Sequence, residues 1–407
     1  MPPAAGPPQT AAAVSADLRR EALRIGFSRV GITAVTEPPH HDAFRGWLAR
    51  GLAGATAGWL ERHEPLRRSA HALLEGVRSV VMLATDHAAG GPPSAAGQGR
   101  GRVARYAWGD DYHDLLRARV NALAAWLETR VPGCRTRGVV DSAPIAERDF
   151  AWLAGLGWIG RNTMLIHPEA GSYFLLTAFL TDVALPADEP LRTDHCGTCT
   201  ACLDACPTEA FPEPGVLDAG RCISSLTIEH HGPVPPDLRA SLGDWVFGCD
   251  VCQEVCPWNR HAPGSTEPGF QPRGGLDTLP LAELLTLDER GFRTRFRGSA
   301  ILRAKRAGLA RSAAMALGNR PDPAAFAPLV AALDDDDATV RDAAAWALGR
   351  WVATGVMADD CRRALAGHGL EATGSQPPAS GAATHPDSQS AVSSMSPAGS
   401  RPGPSTA

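Results

Sequence analysis

Eight of the ten cysteines of this 407-residue chain lie within one short segment, residues 196–256. Such clustering in a large chain favours metal binding over disulfides. The first four, Cys196, Cys199, Cys202 and Cys206, follow the pattern C-x2-C-x2-C-x3-C-P. Bacterial ferredoxins bind [4Fe–4S] clusters with this run, three thiolates on one cluster and the fourth on another. A structural zinc site or a set of disulfides is the alternative interpretation.

A second, incomplete motif provides Cys249, Cys252 and Cys256. It lacks one ligand, and Cys222 is the remaining candidate in the segment, assigned by elimination. Two clusters with exchanged ligands then need eight thiolates, which is the number available. The predicted quartets are Cys196, Cys199, Cys202 and Cys256 on cluster one, and Cys206, Cys222, Cys249 and Cys252 on cluster two.

The overall composition excludes several classes of protein. Hydrophobic residues make up 44% of the chain, which supports a packed core. No apolar run is long enough to cross a bilayer, and the first residues do not resemble a secretory signal, so we expect a cytoplasmic protein without membrane contact. The net charge of −5 argues against a generally basic nucleic-acid surface.

One local patch is nevertheless basic. Arginine-rich surfaces pair with phosphates and stack on unpaired bases of RNA loops, whereas the alternative is an ordinary solvated helix face. The residues of this run are Arg290, Arg293, Arg295, Arg297, Arg303, Lys305, Arg306 and Arg311.

The pattern of elements predicts an α+β protein with three ordered parts. Helices and strands mix in the N-terminal α/β domain, a ferredoxin-like two-cluster domain follows, and an Ala-rich region ends the ordered chain. In that last region residues 309–318 resemble residues 340–349, which indicates either a HEAT-like repeat or a plain helical hairpin. The predicted bounds are a disordered leader at 1–14, domains at 15–190, 191–262 and 276–370, and a disordered tail at 372–407.

The large N-terminal domain is expected to carry a second redox group or the substrate site, because iron–sulfur clusters transfer electrons without selecting a substrate. Its first helix is predicted to begin at Ser15 as the N-cap. A strand over residues 137–141 ends in Asp141. From its position alone, Asp141 is predicted to cap a helix over residues 145–153.

Five segments together resemble the epoxyqueuosine reductase family. They are Arg105–His113, Val140–Arg148, Gly157–Asn162, Arg221–Glu229 and Phe247–Asn259. The resemblance implies a cobalamin-dependent oxidoreductase, related in fold to reductive dehalogenases, that removes the epoxide oxygen of epoxyqueuosine at the tRNA wobble position to give queuosine. It also implies that the first domain holds cobalamin, that cluster one lies close to the corrin, and that the helical repeat helps to bind the tRNA anticodon loop.

The resemblance also implies roles for particular residues. Asp141 is implied to be the catalytic proton donor, and its pKa is expected to be raised by burial so that it is protonated near pH 7. The implied cofactor-binding residues are Arg68, Tyr106, Asp141, Arg148, Asn162, Leu165, Ser225 and Asp250. Residues 67–71 depart from the Arg-x-Asp-Pro-like stretch of the family, which puts the role of Arg68 in question.

Two other functions compete with this interpretation. One is a dehalogenase-like cobalamin and iron–sulfur enzyme that acts on a small molecule, and the other is a non-catalytic electron-transfer module. The basic run and the helical repeat argue against the first, and the large N-terminal domain argues against the second. We expect a monomer that receives electrons from an external donor.

Overall fold

The computed structural model describes residues 10–89 and 96–371, so the predicted tail, most of the predicted leader and part of a Gly/Pro-rich loop lie outside the described residues. The helices are α1 (Ala11–Ile25), α2 (His41–Ala49), α3 (Ala57–Arg67), α4 (Tyr112–Arg130), α5 (Glu147–Leu153), α6 (Ala201–Asp204), α7 (Ile223–Ile228), α8 (Pro236–Arg239), α9 (Val251–Glu254), α10 (Leu281–Thr286), α11 (Glu289–Arg295), α12 (Lys305–Asn319), α13 (Phe326–Ala331), α14 (Ala338–Thr354) and α15 (Ala358–Gly367). The strands are β1 (Arg29–Ala34), β2 (Ser79–Asp86), β3 (Arg100–Val103), β4 (Thr136–Val139), β5 (Trp158–Ile159), β6 (Leu165–Ile166), β7 (Phe174–Thr181), β8 (Trp245–Phe247) and β9 (Thr278–Pro280).

A four-stranded antiparallel sheet in the order β1-β2-β7-β4 forms the centre of the N-terminal part. Successive side chains of β2 point to opposite faces, so Met82 packs with Phe150 of α5 while Leu83 packs with Leu18 of α1 and Leu116 of α4. Both faces of the sheet are therefore covered by helices. This explains why β2 is an uninterrupted apolar run.

A three-stranded sheet joins the N-terminal part to the cysteine segment. β3 pairs in parallel with β8 and antiparallel with β9. Because β8 ends at Phe247, two residues before Cys249, this pairing holds the second cysteine motif against the N-terminal part. The segments predicted as separate domains thus share a sheet, and their exact boundaries remain a prediction.

The Ala-rich region forms packed helices, as the sequence predicts. α12 lies between two layers, because it contacts α7, β8 and α10 as well as α14. Gly318 of α12 faces Trp346 of α14 so closely that a Cβ atom would lie 2.5 Å from the indole ring. The small residues of α12 allow this close approach, and the helical region shares one hydrophobic core with the cysteine segment.

Two predicted helix starts are wrong. α1 begins at Ala11, because the Thr10 hydroxyl accepts a hydrogen bond from the Ala13 N–H and the following alanines favour helix. Ser15 is instead buried inside the helix, so residues 11–14 do not belong to a disordered leader. α5 begins at Glu147, with Ala146 at its N-cap, so Asp141 does not cap this helix. Within the described ranges, no helix is long and apolar enough to cross a membrane.

Candidate active site and metal centres

The first predicted quartet of thiols is brought together by two short helices in contact, α6 and α9. Cys196, Cys199 and Cys202 surround the start of α6, and Cys256 follows α9. Burial raises the pKa of Cys202 to about 11, and the neighbouring thiols of Cys256, Cys196 and Cys199 contribute to this rise. The pKa of Cys256 is raised by burial and then by Cys196 and Cys199, so these four thiols face one another.

The second predicted quartet is more deeply enclosed. Burial raises the pKa of Cys252, and the thiols of Cys222 and Cys206 raise it further. The pKa of Cys249 is raised mainly by burial, with contributions from Cys252 and Cys222. Cys222, which the sequence analysis assigned by elimination, precedes α7 and is within electrostatic reach of Cys206, Cys249 and Cys252.

The donor chemistry of both quartets fits iron–sulfur clusters. Four neighbouring thiols cannot all ionise unless nearby cations compensate the charge. All ten cysteines are free thiols. In the described part of the chain, no three His, Cys, Asp or Glu side chains converge on a single ion. A cubane does not require such convergence, because each of its thiolates binds a different iron.

Asp141 lies in the loop after β4 and contacts the beginning of α4. Its Oδ2 accepts a hydrogen bond of 2.7 Å from the Tyr112 hydroxyl and lies 3.2 Å from Nε2 of His113. His113 Nδ1 in turn lies 2.7 Å from Oδ1 of Asp111, the N-cap of α4. The backbone of Asp141 has a φ of 53°, an uncommon conformation that Asp tolerates better than most residues. Its N–H donates to Glu147.

The expected rise in the pKa of Asp141 is wrong. The hydrogen bond with His113 lowers its pKa, opposing the effect of burial, and Tyr112 lowers it further. The pKa of His113 is raised to about 9, first by its hydrogen bond with Asp111 and then by that with Asp141. At neutral pH the proton of this group therefore resides on the imidazole of His113 rather than on the carboxyl of Asp141.

These side chains line a recess that water reaches but protein surrounds. The Asp141 side chain is 56% exposed. Nevertheless, burial raises the pKa of neighbouring Glu147 to about 7. Burial also raises the pKa of Tyr112 and Tyr106, whose rings meet edge to face at 5.9 Å. Asp141 is therefore open to solvent while Glu147, Tyr106 and Tyr112 beside it are desolvated, which suits a site that a cofactor or substrate covers.

Three predicted cofactor-binding residues adjoin the second quartet. Asn162 donates to the carbonyl of Cys252 at 3.2 Å. Asp250 accepts from the backbone N–H of Arg105 at 2.8 Å, and burial raises its pKa to about 7. Ser225 lies in α7, three residues after Cys222, beside a cavity of about 320 Å³.

The sequence analysis expected the first cluster to lie near the corrin, whereas these three candidate contacts adjoin cysteines of the second quartet. Cys199 of the first quartet is exposed instead.

The walls near Ser225 are small. A Cβ atom on Gly54 would lie 2.8 Å from the backbone nitrogen of Gly220, and Ala55 and Ala219 also line this cavity. Leu226, His230 and Pro235 complete the lining. The polar side chains of Asn162, Ser225 and Asp250, all next to cysteines of the second quartet, would lie beside a bound cobalamin.

The other predicted cofactor-binding residues do not lie together in one place. Leu165 is buried in β6, and Arg148 donates to the carbonyl of Thr163. Arg68 is 63% exposed and pairs with Glu37 in a shallow surface recess, so no described contact joins it to the other candidates.

The arginine beside Arg68 lies closer to the site. Arg67 is affected electrostatically by Glu147 and Arg148. Its guanidinium lies 5.1 Å from the centre of the Phe44 ring.

The basic run is not one open surface. Arg311 is buried and donates to the carbonyls of His230, Gly232 and Leu226, so its predicted contact with RNA is wrong. The fixed position of α12 inside the core requires its polar atoms to be satisfied internally. Four other arginines of the run, Arg293, Arg295, Arg303 and Arg306, pair with carboxylates.

Arg303 is the member of the run that adjoins the catalytic candidate. It forms a two-pronged ion pair with Glu229 at 3.1 and 2.8 Å, yet its side chain is 69% exposed. Its charge lowers the pKa of Asp141. Lys305 and Arg303 also contribute to the lowered pKa of His231, after burial, so these two cations lie near His231.

The sequence analysis missed roles for Tyr112, His113 and Glu147. Tyr112 and His113 lie in the Arg105–His113 segment on which the family resemblance was based, and that segment was the available signal. Two quartets of thiols, a recess lined by acids and a nearby imidazolium together define an iron–sulfur oxidoreductase.

Comparisons with known proteins identify the family. Residues 195–259 match a family model described as "4Fe-4S double cluster binding domain", residues 67–142 one described as "Epoxyqueuosine reductase QueG, DUF1730", and residues 297–359 the model of HEAT repeats. An epoxyqueuosine reductase of Xanthomonas campestris pv. campestris is 43% identical over 347 residues, which cover 84% of this chain and 96% of the relative. The chain therefore belongs to the epoxyqueuosine reductase family, and the predicted α+β fold with HEAT-like helices and two iron–sulfur clusters is confirmed.

Solved structures agree with this family. A crystal structure of epoxyqueuosine reductase with an epoxyqueuosine-modified tRNA-Tyr stem loop matches with a TM-score of 0.78 and 30% identity, covering 86% of this chain and 93% of that chain. The Bacillus subtilis enzyme, with its catalytic aspartate loop swung out of the active site, matches with a TM-score of 0.76 and 30% identity, covering 85% and 93%.

Proposed function

We propose that this chain reduces epoxyqueuosine in the anticodon loop of tRNA to queuosine, with residues 15–190 as the cobalamin and substrate domain. The observation that carries the proposal is the hydrogen-bonded group of Asp141, Tyr112 and His113, which Tyr106 connects to Phe247, two residues before Cys249 of the second quartet. Family membership and the tRNA stem loop bound by a solved relative support the choice of substrate.

The reaction converts an epoxide, two electrons and two protons into an alkene and water. Bound cobalamin and the two clusters supply the electrons to the strained carbon. The protein must supply a proton to the departing oxygen at the right position and moment. Protonation by a positioned acid typically accelerates such a step about 10²–10⁴-fold.

We infer that His113 holds the proton and that Asp141 delivers it. His113 holds a proton at Nε2, 3.2 Å from Oδ2 of Asp141. Tyr112 donates to the same oxygen and thereby holds the carboxyl in place. When substrate fills the recess and excludes water, desolvation favours the neutral carboxyl, so the proton moves from His113 to Asp141 and on to the leaving oxygen.

The basic groups at the rim suit the RNA part of the substrate. Arg303 beside Asp141, and Lys305 two residues further along the chain, are placed to contact phosphates that flank the reacting nucleotide. A base in a loop is unpaired, so turning it into a recess is less costly than extracting it from a duplex. We also infer an external electron donor, a monomeric enzyme and, from the tRNA substrate, a cytoplasmic location.

The deciding experiment is anaerobic turnover with epoxyqueuosine-modified tRNA, using protein whose iron and cobalt contents have been measured. We expect queuosine to form only when a reductant is supplied and both metals are present. Full metal loading without any queuosine would contradict the proposed function.

A further inference from the structure

The two thiol quartets receive different hydrogen bonds. The indole Nε1 of Trp158 donates to Sγ of Cys196, in the first quartet, at 3.5 Å. In the second quartet, Sγ of Cys206 accepts from the backbone N–H of Ala210 at 3.4 Å. The Thr208 hydroxyl also lies 3.6 Å from Sγ of Cys206, where either atom can donate. The indole N–H of Trp158, in contrast, can only donate, and it is supplied by one residue type.

Trp158 reaches this sulfur from a different part of the fold. It lies in β5, which pairs with β6 next to the N-terminal sheet, and it is 2% exposed. Trp258, two residues after Cys256, packs edge to face against it at 5.0 Å. These rings shield the Cys196 side of the first quartet from water, and a hydrogen bond in such surroundings is stronger than one in solvent.

We propose that Trp158 tunes the first cluster by raising its reduction potential. Reduction adds negative charge to the cluster and its sulfurs, so an N–H directed at a cysteine sulfur stabilises the reduced state more than the oxidised state. The first quartet includes the exposed Cys199, so its cluster is the one closer to solvent and to an external electron donor. A raised potential favours reduction of this entry cluster.

The test is a redox titration of the loaded protein followed by electron paramagnetic resonance, comparing Trp158→Phe with the parent. Phenylalanine retains an aromatic ring and removes the donor. We expect one of the two reduction waves to shift to a more negative potential while the other stays in place. Cys199→Ser changes a ligand of the first cluster and thus identifies its wave.

Trp258→Phe is the matched control, because it alters the same aromatic contact. The backbone N–H of Trp258 donates to Cys256 and is kept in this variant, whereas the described hydrogen bonds include none from the Trp258 indole to a cysteine sulfur. This variant is therefore expected to leave both waves close to their parent positions. Equal shifts in the two variants, or no shift in Trp158→Phe, would overturn the proposal.

A second measurement on the unsubstituted protein keeps the inference testable if Trp158→Phe loads iron poorly. With ¹⁵N-labelled tryptophan, pulsed resonance of the reduced first cluster should detect coupling to an indole nitrogen. Absence of that coupling in fully loaded protein would rule out the hydrogen bond. Neither readout depends on turnover, so failure here is distinguishable from failure of the proposed function.

Discussion

Oδ2 of Asp141 faces Nε2 of His113 at 3.2 Å, and this contact reverses the expected ionisation of the site. The acid in the family resemblance is held as a carboxylate, while its partner holds the proton. The pair can act as a proton donor only as a unit. This leads to two predictions that separate the roles of its members.

Asp141→Asn should abolish turnover without loss of metal. Asparagine can still accept from Tyr112 but cannot carry a proton to the leaving oxygen, so the rate should fall by about 10²-fold or more. Single-turnover kinetics and the iron and cobalt contents are the measurements. Asp114→Asn, on the exposed side of α4, is the matched control and should retain full activity. An active Asp141→Asn enzyme would remove this residue from the mechanism.

His113→Gln should shift the pH dependence of kcat to lower pH. In the parent, activity should fall as pH rises through about 9, because His113 then loses its proton. Without the imidazolium, protonation depends on Asp141 alone, so the fall should occur at lower pH, and activity at pH 7.5 should drop by about 10²-fold. The pH dependence of kcat is the measurement. Unchanged profiles in the two proteins would show that His113 is not the proton reservoir.

Glu147 should make the protein less stable at alkaline pH. Its folded pKa of about 7 lies above the ordinary value of 4.5, so its favourable contribution is complete below pH 4.5 and is lost as pH rises through 7. Glu147→Gln should therefore be more stable than the parent at pH 8.5, by on the order of 1–2 kcal/mol, and similar to it at pH 5. Urea unfolding of both proteins at pH 8.5 and at pH 5 tests this. An equal difference in unfolding free energy at the two pH values would contradict it.

Patterns that act locally were predictable from the sequence. The cysteine spacings predict tight loops around a cluster, and the apolar run of β2 predicts a strand covered on both faces. The repeat in the Ala-rich region indicated paired helices, because small residues recur where α12 and α14 meet.

Contacts between distant segments were not predictable. His113 and Asp141 are separated by 28 residues, and their contact depends on the packing of α4 along β4 and β7. Arg311 looked like a surface cation because its sequence neighbours are basic. Its burial follows from the three carbonyls of Leu226, His230 and Gly232, which chain folding brings to it. The pKa of a group depends on such neighbours. The direction of the pKa shift of Asp141 was therefore predicted incorrectly.

Arg303→Gln should weaken tRNA binding and reduce its dependence on salt. Removing one phosphate contact lowers the slope of log affinity against log salt by about one. Binding isotherms at several salt concentrations measure this. Arg293→Gln is the matched control, because Arg293 is an equally exposed arginine paired with Glu289 but has no described interaction with Asp141. An equal loss of tRNA affinity in both variants would indicate a general electrostatic effect rather than a phosphate contact of Arg303 beside the recess.

Cys222→Ser should remove one cluster and leave the other. Cys222 is within electrostatic reach of Cys206, Cys249 and Cys252, so its loss leaves that quartet with three thiols, whereas the first quartet stays complete. The iron content should fall from about eight to about four atoms per chain, with one reduction wave remaining. Cys134→Ser, outside both quartets, should keep all the iron. An unchanged iron content in Cys222→Ser would mean that another group completes the second cluster.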